Sequence, residues 1–122
     1  MDLKALNQEF SICKVKDFKE VDLNQEFVFI GNTDKECSVI CPTSIAPVDC
    51  IEVEHGWHCF YIAEDASFGK YGMIAFLADV VAKQKTGILV VATYDTDYIL
   101  IKNEKWGQVK EALQENGCEF IN

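Results

Sequence analysis

The C-terminal half alternates apolar runs with punctuation that fixes the type of each element. Residues 57–63 (WHCFYIA) form an aromatic-rich run of strand length. After a loop at 64–69, Tyr71, Ile74, Leu77, Ala78 and Val81 recur at helical spacing. This predicts a helix over 69–85, which Thr86-Gly87 ends. Two apolar runs follow, 88–94 and 97–102, with only Asp95-Thr96 between them. That is the spacing of a tight hairpin, although the favoured Asn-Gly pair is missing. Asn103 suits a helix N-cap, Trp106, Val109 and Leu113 supply a buried stripe, and Gly117 marks the end. Residues 118–121 give a last short strand. The order β-α-β-β-α-β is the split βαβ arrangement, a ferredoxin-like α+β design with both helices on one face of an antiparallel-type sheet.

The N-terminal half reads as a shortened copy. Residues 10–16 form a strand, and 27–30 with 37–41 form a hairpin around the polar turn 31–36. One helical turn over 43–47 precedes a strand at 50–54. Only residues 17–26 separate the first two strands, fewer than a crossover helix needs, so the first helix is reduced or missing. Glu54-His55-Gly56 reads as a turn between the halves, with no linker-like composition around it. The division is an abbreviated module over 1–55 and a complete one over 56–122.

Residues 88–94 and 98–101 are apolar on both alternating faces, whereas a two-layer unit leaves one sheet face wet. The second face therefore needs cover from the other half, a second chain or both. A homodimer is the favoured arrangement.

Composition narrows the partners. The 122 residues are 49% hydrophobic and 25% charged, an ordinary globular balance. Eleven basic against 20 acidic residues give a net charge of −9, which repels phosphate backbones and anionic lipid surfaces. Nucleic acid and membrane are thus excluded as partners, no apolar run reaches the ~20 residues of a membrane span, and no signal-peptide h-region opens the chain. The expected compartment is the cytoplasm. There the six cysteines (Cys13, Cys37, Cys41, Cys50, Cys59, Cys118) stay reduced and act as small core hydrophobes within apolar strands.

Two stretches carry candidate chemistry. The loop 65–72 (DASFGKYG) runs from a strand into a helix start, where orphan N–H groups and the helix dipole suit a carboxylate. Glycines are also ordinary in any strand-to-helix loop, and no phosphate-loop pattern is present. The hairpin around Thr93, Tyr94, Asp95, Thr96, Asp97 and Tyr98 crowds two acids, two hydroxyls and two phenols between apolar strands. Its carboxylates suit an ammonium or guanidinium group, and equally a solvated turn.

The stretch from Gly56-Trp57 through ATYDTDYILIK, with SVICP at 38–42, resembles the small stand-alone proteins of the ACT-domain superfamily, in which two ACT-like modules lie in tandem and the first is abbreviated. The resemblance implies a regulatory protein that binds a free amino acid at a module interface. It places the ligand residues at Phe68, Gly69, Gly72 and Met73 and at Thr93, Tyr94, Asp95 and Asp97. Lys70 stands where some arginine-sensing relatives have an acid, which points away from arginine. Helix-start amides would take the carboxylate, Asp97 or Asp95 the ammonium, and Phe68 and Tyr94 would frame the side chain. The expected partner is a regulated enzyme or transporter, with no cofactor.

Enzyme readings are weaker. His58 and Cys59 are adjacent on a strand and point to opposite faces, so they cannot pair directly. Cys41, Cys50, His55 and Cys59 lack the C-x₂-C spacing of a zinc site. No catalytic or metal residue is assigned. The competing reading is a structural or interaction ACT module without a ligand.

Overall fold

The computed structural model describes residues 1–63 and 71–122. Among them the elements are β1 (Asp2–Val15), β2 (Phe29–Asn32), β3 (Cys37–Pro42), a 3-10 turn (Thr43–Ile45), β4 (Glu52–Ile62), α1 (Met73–Lys83), β5 (Leu89–Ala92), β6 (Asp97–Lys102), α2 (Asn103–Glu115) and β7 (Glu119–Phe120). The chain divides into two compact units. The larger holds Met1–Asn7 and His58–Asn122, the smaller Gln8–Trp57.

In the larger unit the strands run β7-β1-β4-β6-β5. β7 lies parallel to β1, with Leu3 opposite Phe120, and β5 is antiparallel to β6 from Leu89 opposite Leu100 to Ala92 opposite Asp97. The helical spacing of Leu77, Val80 and Val81 on α1, and of Val109, Ala112 and Leu113 on α2, turns one stripe of each helix onto Leu3, Phe60, Ile62, Ile99 and Ile101. Both helices therefore cover one sheet face. Each fully buried aliphatic or aromatic side chain here is worth about 1.5–3 kcal/mol against exposure. The end of α1 is tied to α2: Lys105 Nζ and Gln108 Nε2 donate to the Gln84 carbonyl at 3.4 and 3.3 Å. Leu100 and Cys59, which alternate to the opposite face, are also fully buried in the single chain. At those two positions the two-sided apolarity of the strands does not wait on a second molecule.

In the smaller unit the order is β2-β3-β1-β4. Cys13, Val15, Val39 and Cys41 form its core, with Phe18, Val21, Val28, Ile45, Ala46, Cys37 and Cys50 packed around them. Residues 16–28 contain turns and no helix, as their length implies. Asp17 and Asp22 close these turns by accepting from the Lys19 and Asn24 amides at 3.1 and 2.9 Å.

The hairpins of the two units match residue for residue, sixty positions apart. Phe29 faces Ile40 as Leu89 faces Leu100, and Asn32 faces Cys37 as Ala92 faces Asp97. Each turn closes through a threonine. The Thr33 amide and hydroxyl donate to the Glu36 carbonyl at 3.1 and 3.3 Å, and those of Thr93 to the Thr96 carbonyl at 2.8 and 2.9 Å.

Several boundaries differ from the sequence pattern. β1 starts at Asp2 rather than at residue 10. Glu54-His55-Gly56 is not a turn but lies inside β4. Gly56 at φ 82° absorbs the irregularity there, which a residue with a side chain would resist. The second hairpin has a four-residue turn, 93–96, instead of two residues, because Asp95-Thr96 lacks the positive-φ preference of Asn-Gly. Asn103 is the first residue of α2, and Lys102 holds the N-cap position. α1 begins at Met73, four residues later than the spacing predicts.

Candidate functional site

The helix-start half of the expected site is described in part. Phe68 and Gly69 lie outside the described residues. Gly72 is the N-cap of α1, at φ 81° with no side-chain cap, and the first turn carries no acid. A left-handed N-cap favours glycine. Glycine brings no hydroxyl or carboxylate to the first amides, so that end of the helix carries no capping group at Gly72. Met73 is half-buried and packs against the core of the larger unit.

The hairpin half is fully described. Thr93 is exposed, and its hydroxyl is engaged within the turn. Tyr94 is 96% exposed, so its ring stands in solvent. Asp95 is exposed at the turn tip, whereas Asp97 is half-buried at the start of β6. The pleat fixes the direction of Asp97, opposite Ala92. Beside it Tyr98 meets Tyr61, ring centroids 5.5 Å apart. Among the described residues the expected ones fall into two groups of different character: a helix start with no capping side chain at Gly72, and a turn with one half-buried and one exposed carboxylate.

The histidines and cysteines that attract enzyme readings are engaged in packing. His58 stacks on Trp106 at 4.1 Å and 13° between planes. Its Nε2 is buried without a hydrogen-bond partner. Burial, and then the charge of Lys110, push its pKa below the ordinary value of 6.5. Cys59 is fully buried, and burial pushes its thiol up to about 12, far from a thiolate nucleophile. Among the described residues no group of three or more His, Cys, Asp or Glu is arranged to hold a metal ion. His55 belongs to a cluster that alternation alone does not reveal. The fully buried Ser11 hydroxyl lies 2.7 Å from both Thr43 Oγ1 and His55 Nδ1. A serine amid apolar positions on β1 was the available signal, but its partners come from the 3-10 turn and β4.

The His58 geometry fixes a pH response. Protonation places a charge in the half-buried stack, so the unfolded chain binds that proton more readily. The stability this group contributes is complete above pH 6.5 and is lost as pH falls below it toward the lowered folded value. Urea midpoints measured from pH 7.5 to 5.5 should fall more for the wild type than for His58→Phe, which keeps a ring on Trp106. Parallel curves would mean that His58 is not the group responsible.

Comparison with known proteins supplies the family. The sequence pattern of the ACT domain matches residues 52–115, just over half the chain, from β4 through α2. The chain belongs to the ACT-domain family. ACT domains are regulatory, non-catalytic ligand-binding modules. No curated protein sequence matches this ACT protein. Among solved structures it is similar to a protein of Agrobacterium tumefaciens, at a TM-score of 0.86 and 26% identity over 98% of this chain and 91% of that one. It is also similar to a Vibrio cholerae protein described as a possible transport protein, at 0.72 and 18% over 98% and 88%. The ligand-free regulatory subunit of Thermus thermophilus aspartate kinase shares its fold at 0.58 and 10%, over 93% of each chain. A mixed α/β fold with an essentially antiparallel sheet and two helices is common ground with these structures. No helix among the described residues is long and apolar enough to cross a membrane.

Proposed function

We propose that this ACT protein is a non-catalytic cytoplasmic sensor that binds a free amino acid at a module interface and regulates a partner enzyme or transporter. The observation that carries the reading is the family match over 52–115, because it spans both the start of α1 and the β5–β6 hairpin. A free amino acid needs an anion site and a cation site. The helix start at Gly72 and Met73, with Phe68 and Gly69 before it, suits the carboxylate. Asp97, with Asp95 beside it, suits the ammonium.

We read the chain as two ACT-like modules in tandem, the first abbreviated, and the sixty-residue correspondence of the hairpins supports that reading. A homodimer is part of it. Tyr71 is 99% and Tyr94 96% exposed, and a ring in solvent frames a ligand only when a second surface closes over it. A ligand-free interaction module is the second reading, favoured by the turn hydrogen bonds that engage Thr93 without a ligand.

Thermal unfolding against a panel of free amino acids separates the two. A true ligand at 100 times its Kd stabilises by about 2.7 kcal/mol, a shift of several degrees. If no amino acid moves the midpoint, the interaction-module reading stands instead.

A further inference from the structure

Four of the six cysteines gather in the smaller unit, where Cys13 and Cys41 are core residues and Cys37 and Cys50 pack against them. Cys13 is the centre of the group. Its side chain is fully buried, in one core cluster with Cys41, and Cys50 packs against that cluster. The two neighbours are not equivalent. β1 and β3 place Cys13 opposite Val39 and Ser11 opposite Cys41, so Cys13 and Cys41 are diagonal neighbours on one face. Diagonal Cα atoms in an antiparallel pair lie about 7–8 Å apart, beyond the roughly 4.4–6.8 Å that a disulfide spans. Both residues are held in the ladder and cannot close that gap. Cys50 precedes β4, outside the strand, and is half-buried, with its thiol donating to the Pro47 carbonyl at 3.1 Å. The Ile51 amide donates to the Lys14 carbonyl at 2.8 Å, which holds Cys50 beside β1 next to Cys13, and Cys50 also meets solvent.

We propose that Cys13 and Cys50 form an oxidation site, at which a low-molecular-weight disulfide such as oxidised glutathione converts the two thiols into an intramolecular disulfide. The Cys50 thiolate attacks one sulfur of the oxidant, the S–S bond breaks, and one glutathione leaves as thiolate. Cys13 then gives up its proton and attacks Cys50 Sγ, expelling the second glutathione. Two thiols are oxidised, one external disulfide is reduced, and the two protons end on the two glutathione molecules released. The proposal rests on the smaller unit alone and is independent of amino-acid binding.

The two steps differ in rate for a physical reason. Burial, and then the neighbouring Cys50 and Cys41 thiols, push Cys13 up to about 12. Roughly one Cys13 in 100,000 is then ionised at pH 7, and exchange rates follow the thiolate fraction. Closure should therefore lag behind the first step and speed up about tenfold per pH unit.

The test treats the full chain with oxidised glutathione at pH 7, 8 and 9, followed by acid quench, alkylation in denaturant and peptide mass mapping. The expected sequence is a single glutathione adduct on Cys50, then a Cys13–Cys50 peptide pair that forms faster at higher pH and disappears with dithiothreitol. Cys50→Ser should abolish both products and Cys118→Ser neither. The wild-type map decides the matter even if a variant folds poorly. An adduct on Cys50 that never closes at pH 9, a pairing with Cys37 or Cys41, or no reaction at all would overturn the proposal.

Discussion

Phe60→Ala should lower the unfolding free energy of this protein by about 3–5 kcal/mol, the range for emptying a buried aromatic site. Phe60 is fully buried and lies between both helices and the sheet of the larger unit. Its ring meets Trp106 at 5.4 Å and Phe120 edge-on at 5.8 Å, and Trp106 in turn meets Phe120 at 5.5 Å and 90°. Three rings that brace one another cannot all close over the space one vacates, so the cavity persists along with the loss of aromatic pairs worth ~0.5–1.5 kcal/mol each. Against a total stability of about 5–15 kcal/mol this is a large fraction. Melting temperature should drop by ten degrees or more. Leu23→Ala is the control: that side chain is 69% exposed, and surface changes stay within about ±0.5 kcal/mol. A Phe60→Ala loss no greater than the control's would show that the aromatic group does not hold the helices to the sheet.

Asp97→Asn should weaken amino-acid binding about tenfold while leaving stability within about ±0.5 kcal/mol. The substitution keeps size and hydrogen-bonding capacity and removes the charge. A charge-assisted bond of ~1.5–3 kcal/mol is thereby reduced to a neutral one, and 1.4 kcal/mol is a factor of ten in Kd. Asp97 is preferred to Asp95 because it is half-buried in the ladder opposite Ala92, whereas Asp95 is exposed at the tip. Titration calorimetry with the amino acid that scores in the thermal panel compares the wild type with Asp97→Asn. If Asp97→Asn binds as the wild type does, the ammonium site lies elsewhere and the helix start at Gly72 alone is left.

Where sequence periodicity was strong, it placed elements well. Leu77 and Val81, like Val109 and Leu113, lie on the buried stripes their spacing implies, and 97–102 is β6 as expected. The first eight residues of β1 were not legible because what organises them is distant. Asp2 and Leu3 pair with Glu119 and Phe120, and no local pattern records a partner more than a hundred residues away. Gly56 misled for a related reason: a glycine between polar residues signals a turn, yet here its positive φ serves a strand. The elements that carry the described expected residues, α1 and the β5–β6 hairpin, were legible in the sequence. Which aspartate is oriented, and that Tyr94 stands clear of the fold, needed the register and the burial.

Each hairpin closes through its threonine and one carbonyl, and in the first the Thr33 hydroxyl also accepts from the Lys35 and Glu36 amides at 3.1 and 3.2 Å. These closing bonds use backbone and threonine atoms rather than the side chains between the ends of the turn. In one copy that interior holds Asp34 and Lys35, an opposite-charge pair 3.8 Å apart at the surface. In the other it holds Tyr94 and Asp95. The frame and its cargo are thus separable, and the cargo is only two residues long. Exchanging the interior pairs would transplant surface chemistry from one unit to the other while both strand registers stayed as they are. A chain built this way has room to change the surface chemistry of either turn through a handful of substitutions, without disturbing the strand pairing that the turn joins.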